Sequence, residues 1–182
     1  MDAINCIKGR RSIRAYNEKD IPVSVLKEIV EIASFAPSWK NSQTASYIAV
    51  KNPELKLQIA DQAMMGFGPN QTRVTECNTL VAVVTRRGVS GYNPDGNPTT
   101  SLGTHWQSFD AGIATQTFCL AAYSKNVGSL IMGIYDESRV AQLLNVDLSI
   151  YTVSALVALG YTDADPQAPK RKSCDELLSV MQ

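Results

Sequence analysis

Apolar residues recur along this chain in two patterns, one helical and one extended. Leu26, Ile29 and Ala33 stand at helical spacing with charged residues between them, which predicts an amphipathic helix that ends before Pro37. The unbroken apolar run over residues 80–84, continued by Thr85, is typical of a strand buried on both faces. Similar patterns predict further helices over residues 2–9, 55–63, 106–123 and 136–144, and further strands over residues 47–50, 129–132 and 153–161.

Turn-forming residues mark the places where these elements end. Four glycines and two prolines within residues 88–103 predict a long loop. Residues 64–69 predict a break, and residues 70–77 predict an irregular or briefly helical segment. No internal repeat and no linker divides the sequence, so we expect a single domain over residues 1–182.

Composition argues against several classes of protein. The chain holds 17 basic and 17 acidic residues, and this balance disfavours a general nucleic-acid binder, whose affinity comes mainly from phosphate neutralisation. The apolar runs are too short to span a bilayer, and no secretory signal is visible. Four scattered cysteines and one histidine argue against a metal site and against a Ser-His-Asp triad. We therefore expect a cytoplasmic protein with no nucleic-acid or membrane partner.

The densest positive charge lies in Arg10-Arg11-Ser12-Ile13-Arg14, here named the arginine segment. Its guanidinium groups fit a phosphate bidentately, and its serine adds a neutral donor. A second basic cluster, Lys170-Arg171-Lys172, lies near the C-terminus. Chain ends often lie close together in compact domains, and both clusters would then hold one anion. Two separate solvated surfaces are the alternative.

A polar loop over residues 38–43, here named the amide loop, carries a different kind of group. Ser38, Asn41 and Gln43 provide donors and acceptors that suit a heteroaromatic ring presenting N–H and C=O groups together. The same residue types also fill turns for conformational reasons. Gly133, which follows an apolar strand, either lets a flat ligand approach the backbone closely or simply ends the strand.

Taken in order, these features resemble the nitroreductase family of flavin mononucleotide (FMN) enzymes, over nearly the whole chain. Residues 10–16 resemble the family's Arg-Arg-Ser-x-Arg-x-Phe/Tyr opening, and residues 36–43 resemble its Ala-Pro-Ser-x-x-Asn-x-Gln loop. Residues 110–122 are similar to its long central helix, and residues 158–161 with Arg171 to its closing strand and trailing basic pair. The resemblance implies an α+β fold with a central, mostly antiparallel sheet flanked by helices.

The resemblance also implies a homodimer with two FMN sites at the subunit interface. The residues implied to hold the phosphate and the pyrimidine edge are Arg10, Arg11, Ser12, Arg14 and Arg171, with Lys170 beside the last. The residues implied to reach the flavin from the other subunit are Ser38, Asn41 and Gln43. Asn70 and Arg73 match a polar–basic pair near the ribityl chain and ring. The residues implied to line the ring, with a backbone N–H offered to flavin N5, are Ile131, Met132 and Gly133.

The activity implied is an NAD(P)H oxidoreductase that transfers hydride through FMN by ping-pong kinetics. NADH or NADPH is the donor, and the small-molecule acceptor is a nitroaromatic, a quinone or another electron-poor compound. The protein positions the flavin and stabilises charge on it, and no side chain acts as a nucleophile.

Two positions depart from the family pattern. Met132 stands where many active members carry an acidic residue, and residues 44–46 lack the aromatic that commonly follows the loop. Alternatives therefore stay open: a flavin sensor or storage protein, a dehalogenase, or a flavin-fragmenting enzyme. The remaining alternative is a phosphate- or RNA-binding module based on the arginine segment alone.

Overall fold

A computed structural model describes residues 2–182 of the chain. The helices are α1 (Ala3–Gly9), α2 (Val23–Ala33), α3 (Pro53–Ala63), α4 (Gly68–Glu76), α5 (His105–Ser124), α6 (Glu137–Leu144) and α7 (Cys174–Leu177). The strands are β1 (Ala45–Val50), β2 (Thr79–Arg86), β3 (Gly128–Met132) and β4 (Tyr151–Gly160).

The four strands form one antiparallel sheet in the order β1-β2-β4-β3. Successive side chains of the central strands point to opposite faces, as the period of an extended chain requires. In β2, Leu80 and Ala82 pack on one face, whereas Val81 and Val83 pack on the other. Both sets are buried, which explains why the sequence of this strand is apolar without alternation.

Helices cover both faces of the sheet, and each face has its own apolar core. On one face the sheet packs against α3, α4 and α6, with Ile59, Val74 and Val140 fully buried. On the other face it packs against α2 and α5, with Ile29 and Phe118 at the centre. The α+β fold with a central antiparallel sheet flanked by helices is therefore confirmed.

Side-chain caps fix where several helices begin. Asn52 accepts a hydrogen bond from the Leu55 amide and Pro53 occupies the first turn of α3. Asp136 caps α6 in the same way. The prediction of an irregular or only briefly helical segment over residues 70–77 is wrong in extent, because α4 begins at Gly68 and forms nine helical residues. Its buried Val74 supplies tertiary packing that the polar local sequence does not reveal.

The C-terminal helix α7 was not predicted. Ser173 caps it, and the Glu176 side chain bonds back to the Ser173 amide, so the two residues form a capping box. The spacing Ser-x-x-Glu was a visible signal for a helix start. Within residues 2–182, no helix combines the length and apolar character needed to cross a membrane.

Candidate functional site

The arginine segment lies alongside β3, on the side of that strand away from β4. The Ile13 amide donates to the Ser129 carbonyl at 3.0 Å, and Ser12 pairs with Ser129 as a parallel bridge. Gly128 allows this approach, since a Cβ there would lie 2.8 Å from Ile13 Cγ1. Two parts of the sequence more than 110 residues apart are thereby joined into one ligand-sized surface.

Arg14 reaches a cavity of about 310 Å³, here named the ring cavity. The predicted site residues Asn70, Arg73, Ile131, Met132 and Gly133 also line it, so the structure brings six of the predicted residues together. Its remaining lining residues, which the sequence did not single out, are Phe67, Pro69, Leu130 and Ile134.

The ring cavity combines apolar walls with positive charge. Arg14 is exposed, and its guanidinium donates a long hydrogen bond of 3.4 Å to the Ser12 carbonyl. Arg73 is oriented by a 3.0 Å ion pair with Glu76 on the same helix. The Asn70 side-chain amide donates to the Ile134 carbonyl at 3.1 Å and so fixes the backbone just beyond Gly133. A planar, partly anionic ligand suits such a surface.

Gly133 leaves room in this cavity. A Cβ at this position would meet no atom within 4 Å, so the glycine is not needed for packing inside the chain. Exposed Ile131 lies just before it, with 46% of its surface accessible. The backbone at the end of β3 is therefore open to a ligand.

Arg10 and Arg11 line a neighbouring cavity of about 220 Å³, here named the Arg10 cavity. Two buried polar atoms in its wall, Arg10 Nε and Ser129 Oγ, have no hydrogen-bond partner within residues 2–182. Unpaired buried polar groups of this kind are rare, and each costs free energy unless a ligand or water pairs with it. An oxyanion in the cavity would accept hydrogen bonds from both groups.

Lys170 and Arg171 do not line the Arg10 cavity. They lie in an exposed stretch after β4, whereas the cavity wall takes Thr162 and residues 164–166 from that region. Convergence of the two basic clusters on one anion thus stays a prediction.

The amide loop lies at a different place, at the C-terminal end of α2. Ser38 and Gln43 line a cavity of about 280 Å³ there, and Asn41 is exposed. None of these three residues lines the ring cavity of its own subunit. The amide loop and the arginine segment of one chain therefore do not form a single site.

The backbone of the amide loop is strained. Lys40, Asn41 and Gln43 have φ values of 49°, 56° and 49°, in the left-handed region that side-chain-bearing residues seldom adopt. Each such residue costs about 1 kcal/mol or more, and surrounding contacts must hold it. One contact lies within the loop, because the backbone amide of Gln43 donates to Ser38 Oγ at 3.0 Å.

A second contact comes from Asp110 on α5, a residue to which sequence reasoning gave no role. Asp110 is only 5% exposed, and its carboxylate accepts hydrogen bonds from the Trp39 amide at 2.8 Å and from Ser90 Oγ at 2.6 Å. The sequence signal was an acidic residue in a helix that holds no other charged residue. Trp39 also packs on Trp106 with ring centroids 5.0 Å apart.

Several large apolar side chains on the helices are exposed to solvent. Ile4 and Ile7 on α1 and Phe109 on α5 are each more than half exposed. Phe109 points away from the chain's own core, while the residues of this helix that are buried within the chain face the sheet. Large exposed apolar side chains are frequent at protein interfaces.

Titratable groups do not form a further centre in the described part of the chain. No three His, Cys, Asp or Glu side chains within residues 2–182 are arranged to hold a metal ion. Burial raises the pKa of the Tyr16 hydroxyl, which donates to the Ile13 carbonyl at 2.9 Å beneath the arginine segment. Burial likewise raises the pKa of the Cys119 thiol, so neither group is a ready proton donor at neutral pH.

Comparisons with known proteins agree with this arrangement. The model of the Nitroreductase family matches residues 7–161. The NADH dehydrogenase of Thermus thermophilus is 28% identical over 184 residues, covering 88% of this chain and 87% of that protein. The FMN reductase [NAD(P)H] of Bacillus subtilis is 25% identical, covering 93% of this chain and 70% of that protein. A protein from Exiguobacterium sibiricum, solved in complex with FMN, superposes with a TM-score of 0.86 at 20% identity, covering 100% of this chain and 98% of that one.

Proposed function

The chain belongs to the nitroreductase family, and from this premise we propose that it is an FMN-dependent NAD(P)H oxidoreductase that reduces electron-poor acceptors. The single observation that carries the proposal is the ring cavity, where Arg14 and Arg73 meet the open backbone at Gly133. Similarity to proteins named as NADH dehydrogenase and FMN reductase supports the donor and the cofactor.

The residues of the ring cavity fit a flavin. Ile131 and Leu130 supply an apolar wall, and the missing side chain at Gly133 leaves space for a flat ring. The positive charge of Arg14 and Arg73 suits a ring that becomes negative when it is reduced. When bound, FMN supplies hydride transfer between NAD(P)H and the acceptor.

The Arg10 cavity fits the phosphate of the same ligand. The arginine segment and β3 each contribute to both cavities, with Arg10 and Ser129 lining one and Arg14 and Leu130 lining the other. Arg10 Nε and Ser129 Oγ, which lack partners, would both donate to phosphate oxygens. Arg171 would add a further cation if the segment after β4 folds back.

The site is completed by a second copy of the chain in this proposal. The amide loop does not share a cavity with the arginine segment of its own subunit, yet Ser38, Asn41 and Gln43 carry the amide and hydroxyl groups that a pyrimidine edge needs. We propose that the homodimer buries the exposed Ile4, Ile7 and Phe109 and that the amide loop of one subunit lies beside the ring cavity of the other.

Protons for the acceptor come from solvent in this account. No Asp, Glu, His, Lys, Cys or Tyr side chain lines the ring cavity, and Met132 cannot exchange a proton. The residues of the chain therefore bind and orient the cofactor, stabilise negative charge and leave the ring accessible. Nitroaromatics, quinones and conjugated alkenes all accept hydride under these conditions, and we propose this class as the substrates.

The cofactor assignment is tested by identifying the flavin that heat releases from the purified protein. We expect the mononucleotide at one per chain, because each chain supplies one arginine segment and one amide loop. Release of the adenine dinucleotide, or absence of flavin binding after reconstitution with FMN, would contradict the proposal.

A further inference from the structure

We propose that Asp110 is a positioning residue that holds the amide loop in its binding conformation. The inference rests on the proposed function, because the loop matters to activity only if its polar groups contact the flavin. Asp110 is 5% exposed and lines the cavity beside Ser38 and Gln43, not the ring cavity of its own subunit, so in this proposal it acts on the flavin through the amide loop.

The placement of Asp110 is the first part of the argument. Asp110 is buried, with 5% of the residue exposed, and no Lys, Arg or His side chain within the described residues forms an ion pair with its carboxylate. Burying a carboxylate without a paired cation costs free energy, and protein cores generally hold apolar residues instead. Its hydrogen bonds are the one compensation visible in the structure.

The partners of Asp110 are the second part. A single oxygen, Oδ2, accepts from both the Trp39 amide and Ser90 Oγ. Trp39 begins the turn that contains the left-handed residues Lys40, Asn41 and Gln43, so this bond fixes the entry into the strained segment. Ser90 is fully buried, and it belongs to the long loop that precedes α5.

The two bonds connect the amide loop with that long loop. Ser90 Oγ also lies 3.5 Å from Thr44 Oγ1, directly after the amide loop. Asp110 therefore holds the start of the amide loop directly and its end through Ser90. Without it, the strained backbone would relax toward ordinary dihedral angles, and the side chains of Asn41 and Gln43 would turn away from their present directions.

Matched variants separate this role from a general effect on folding. Asp110→Leu places a larger, apolar side chain at this position and leaves the Trp39 amide without an acceptor. Asp110→Asn keeps one carbonyl oxygen, and because both donors use the same oxygen, that atom can accept both bonds. Ile59→Val, in the core on the opposite face of the sheet, lowers stability without touching either loop.

The experiment measures FMN affinity of each apoprotein by quenching of flavin fluorescence, together with its melting temperature and its oligomeric state. We expect Asp110→Leu to bind FMN roughly tenfold or more weakly, Asp110→Asn to stay within about threefold of the natural protein, and Ile59→Val to bind normally. If the leucine variant does not fold, Asp110→Ala removes the carboxylate without added bulk and carries the same expectation.

Two results would overturn the role of Asp110. One is a folded Asp110→Leu or Asp110→Ala protein with unchanged FMN affinity, and the other is an Asp110→Asn protein as weak as the leucine variant. Failure of the natural protein to bind FMN is a separate outcome, because it contradicts the proposed function before any variant is compared.

Discussion

The Ile13 amide and the Ser129 carbonyl are 3.0 Å apart, and this one hydrogen bond places the arginine segment against β3. Because of it, Arg14 and Ile131 line the same cavity although they are distant in sequence. The Tyr16 hydroxyl, which donates to the Ile13 carbonyl, holds the segment from below. The basic residues are thus presented on a rigid edge of the sheet rather than on a mobile arm.

Two glycine substitutions distinguish the fold from the site. In Gly128→Ala the new Cβ meets Ile13 at 2.8 Å and the Gly160 carbonyl at 3.1 Å, so we expect a loss of about 1–3 kcal/mol in the free energy of unfolding. In Gly133→Ala the Cβ meets nothing within 4 Å, so the apoprotein should keep its stability within about 0.5 kcal/mol. The same methyl group should weaken FMN binding by about 1 kcal/mol or more, because it enters the ring cavity.

Denaturant unfolding of the apoproteins and FMN titration check both expectations. A stable Gly133→Ala protein that binds FMN as well as the natural protein does would show that the flavin lies elsewhere.

The basic clusters make a prediction about one phosphate. Arg10→Ala and Arg171→Ala should each weaken FMN binding by about 2 kcal/mol, as expected for a lost charge-assisted hydrogen bond. Arg139→Ala is the matched control, since Arg139 is an exposed arginine on α6 that bonds to Gln142. Affinity measured by calorimetry should fall in the first two variants alone. Normal affinity in the Arg171 variant would limit the phosphate site to the arginine segment.

Composite sites, each formed by residues of both subunits, predict that a mixed dimer keeps one normal site. One subunit carries Arg10→Ala and the other carries Asn41→Gly, a change that removes the amide and keeps the left-handed backbone. If each site combines the arginine segment of one subunit with the amide loop of the other, one site receives both substitutions and its twin receives neither. Half of the sites should then bind FMN with natural affinity. A dimer in which no site binds normally would contradict the composite arrangement, as would a monomeric natural protein with full flavin content.

Alkaline pH should destabilise the protein through its buried acids. Burial raises the pKa of Cys77 to about 11 and the pKa values of Tyr47 and Tyr135 to about 12. Above about pH 9 the unfolded chain loses these protons while the folded chain keeps them, so the free energy of unfolding falls as pH rises. The stabilisation is complete below about pH 9 and is lost progressively toward about pH 12.

Thermal unfolding between about pH 8 and pH 11 measures this decline. Tyr47→Phe keeps the ring that stacks on Phe118 at 4.7 Å but removes one titrating group, so its stability should fall less steeply. An equal slope in the natural protein and this variant would mean that Tyr47 does not contribute.

Most of the fold was predictable because its signals are local. The apolar run of β2 and the cap at Asn52 depend on neighbouring residues, and both elements lie where the sequence indicated. Helix α4 was underestimated, since burial of Val74 against distant parts of the chain outweighs its polar composition. The role of Asp110 was not visible either, because it depends on a hydrogen bond to Trp39, 71 residues away.

The candidate site was likewise predictable only in part from the sequence. Residue types indicated Arg14 and Gly133 as binding positions, and they share one cavity. Sequence alone could not show that Ser38 and Arg14 of one chain line different cavities, because that separation depends on the path of the whole sheet.

The central claim is that a flavin held at the ring cavity takes hydride from NAD(P)H and passes it to an electron-poor acceptor. The most direct test follows the visible absorption of the FMN-loaded protein under anaerobic conditions, first with NADH or NADPH and then with a quinone or nitroaromatic. We predict that one of the two nucleotides bleaches the flavin and that the acceptor restores its colour. A flavin that stays oxidised with both nucleotides would contradict the account and would favour a storage or sensing role.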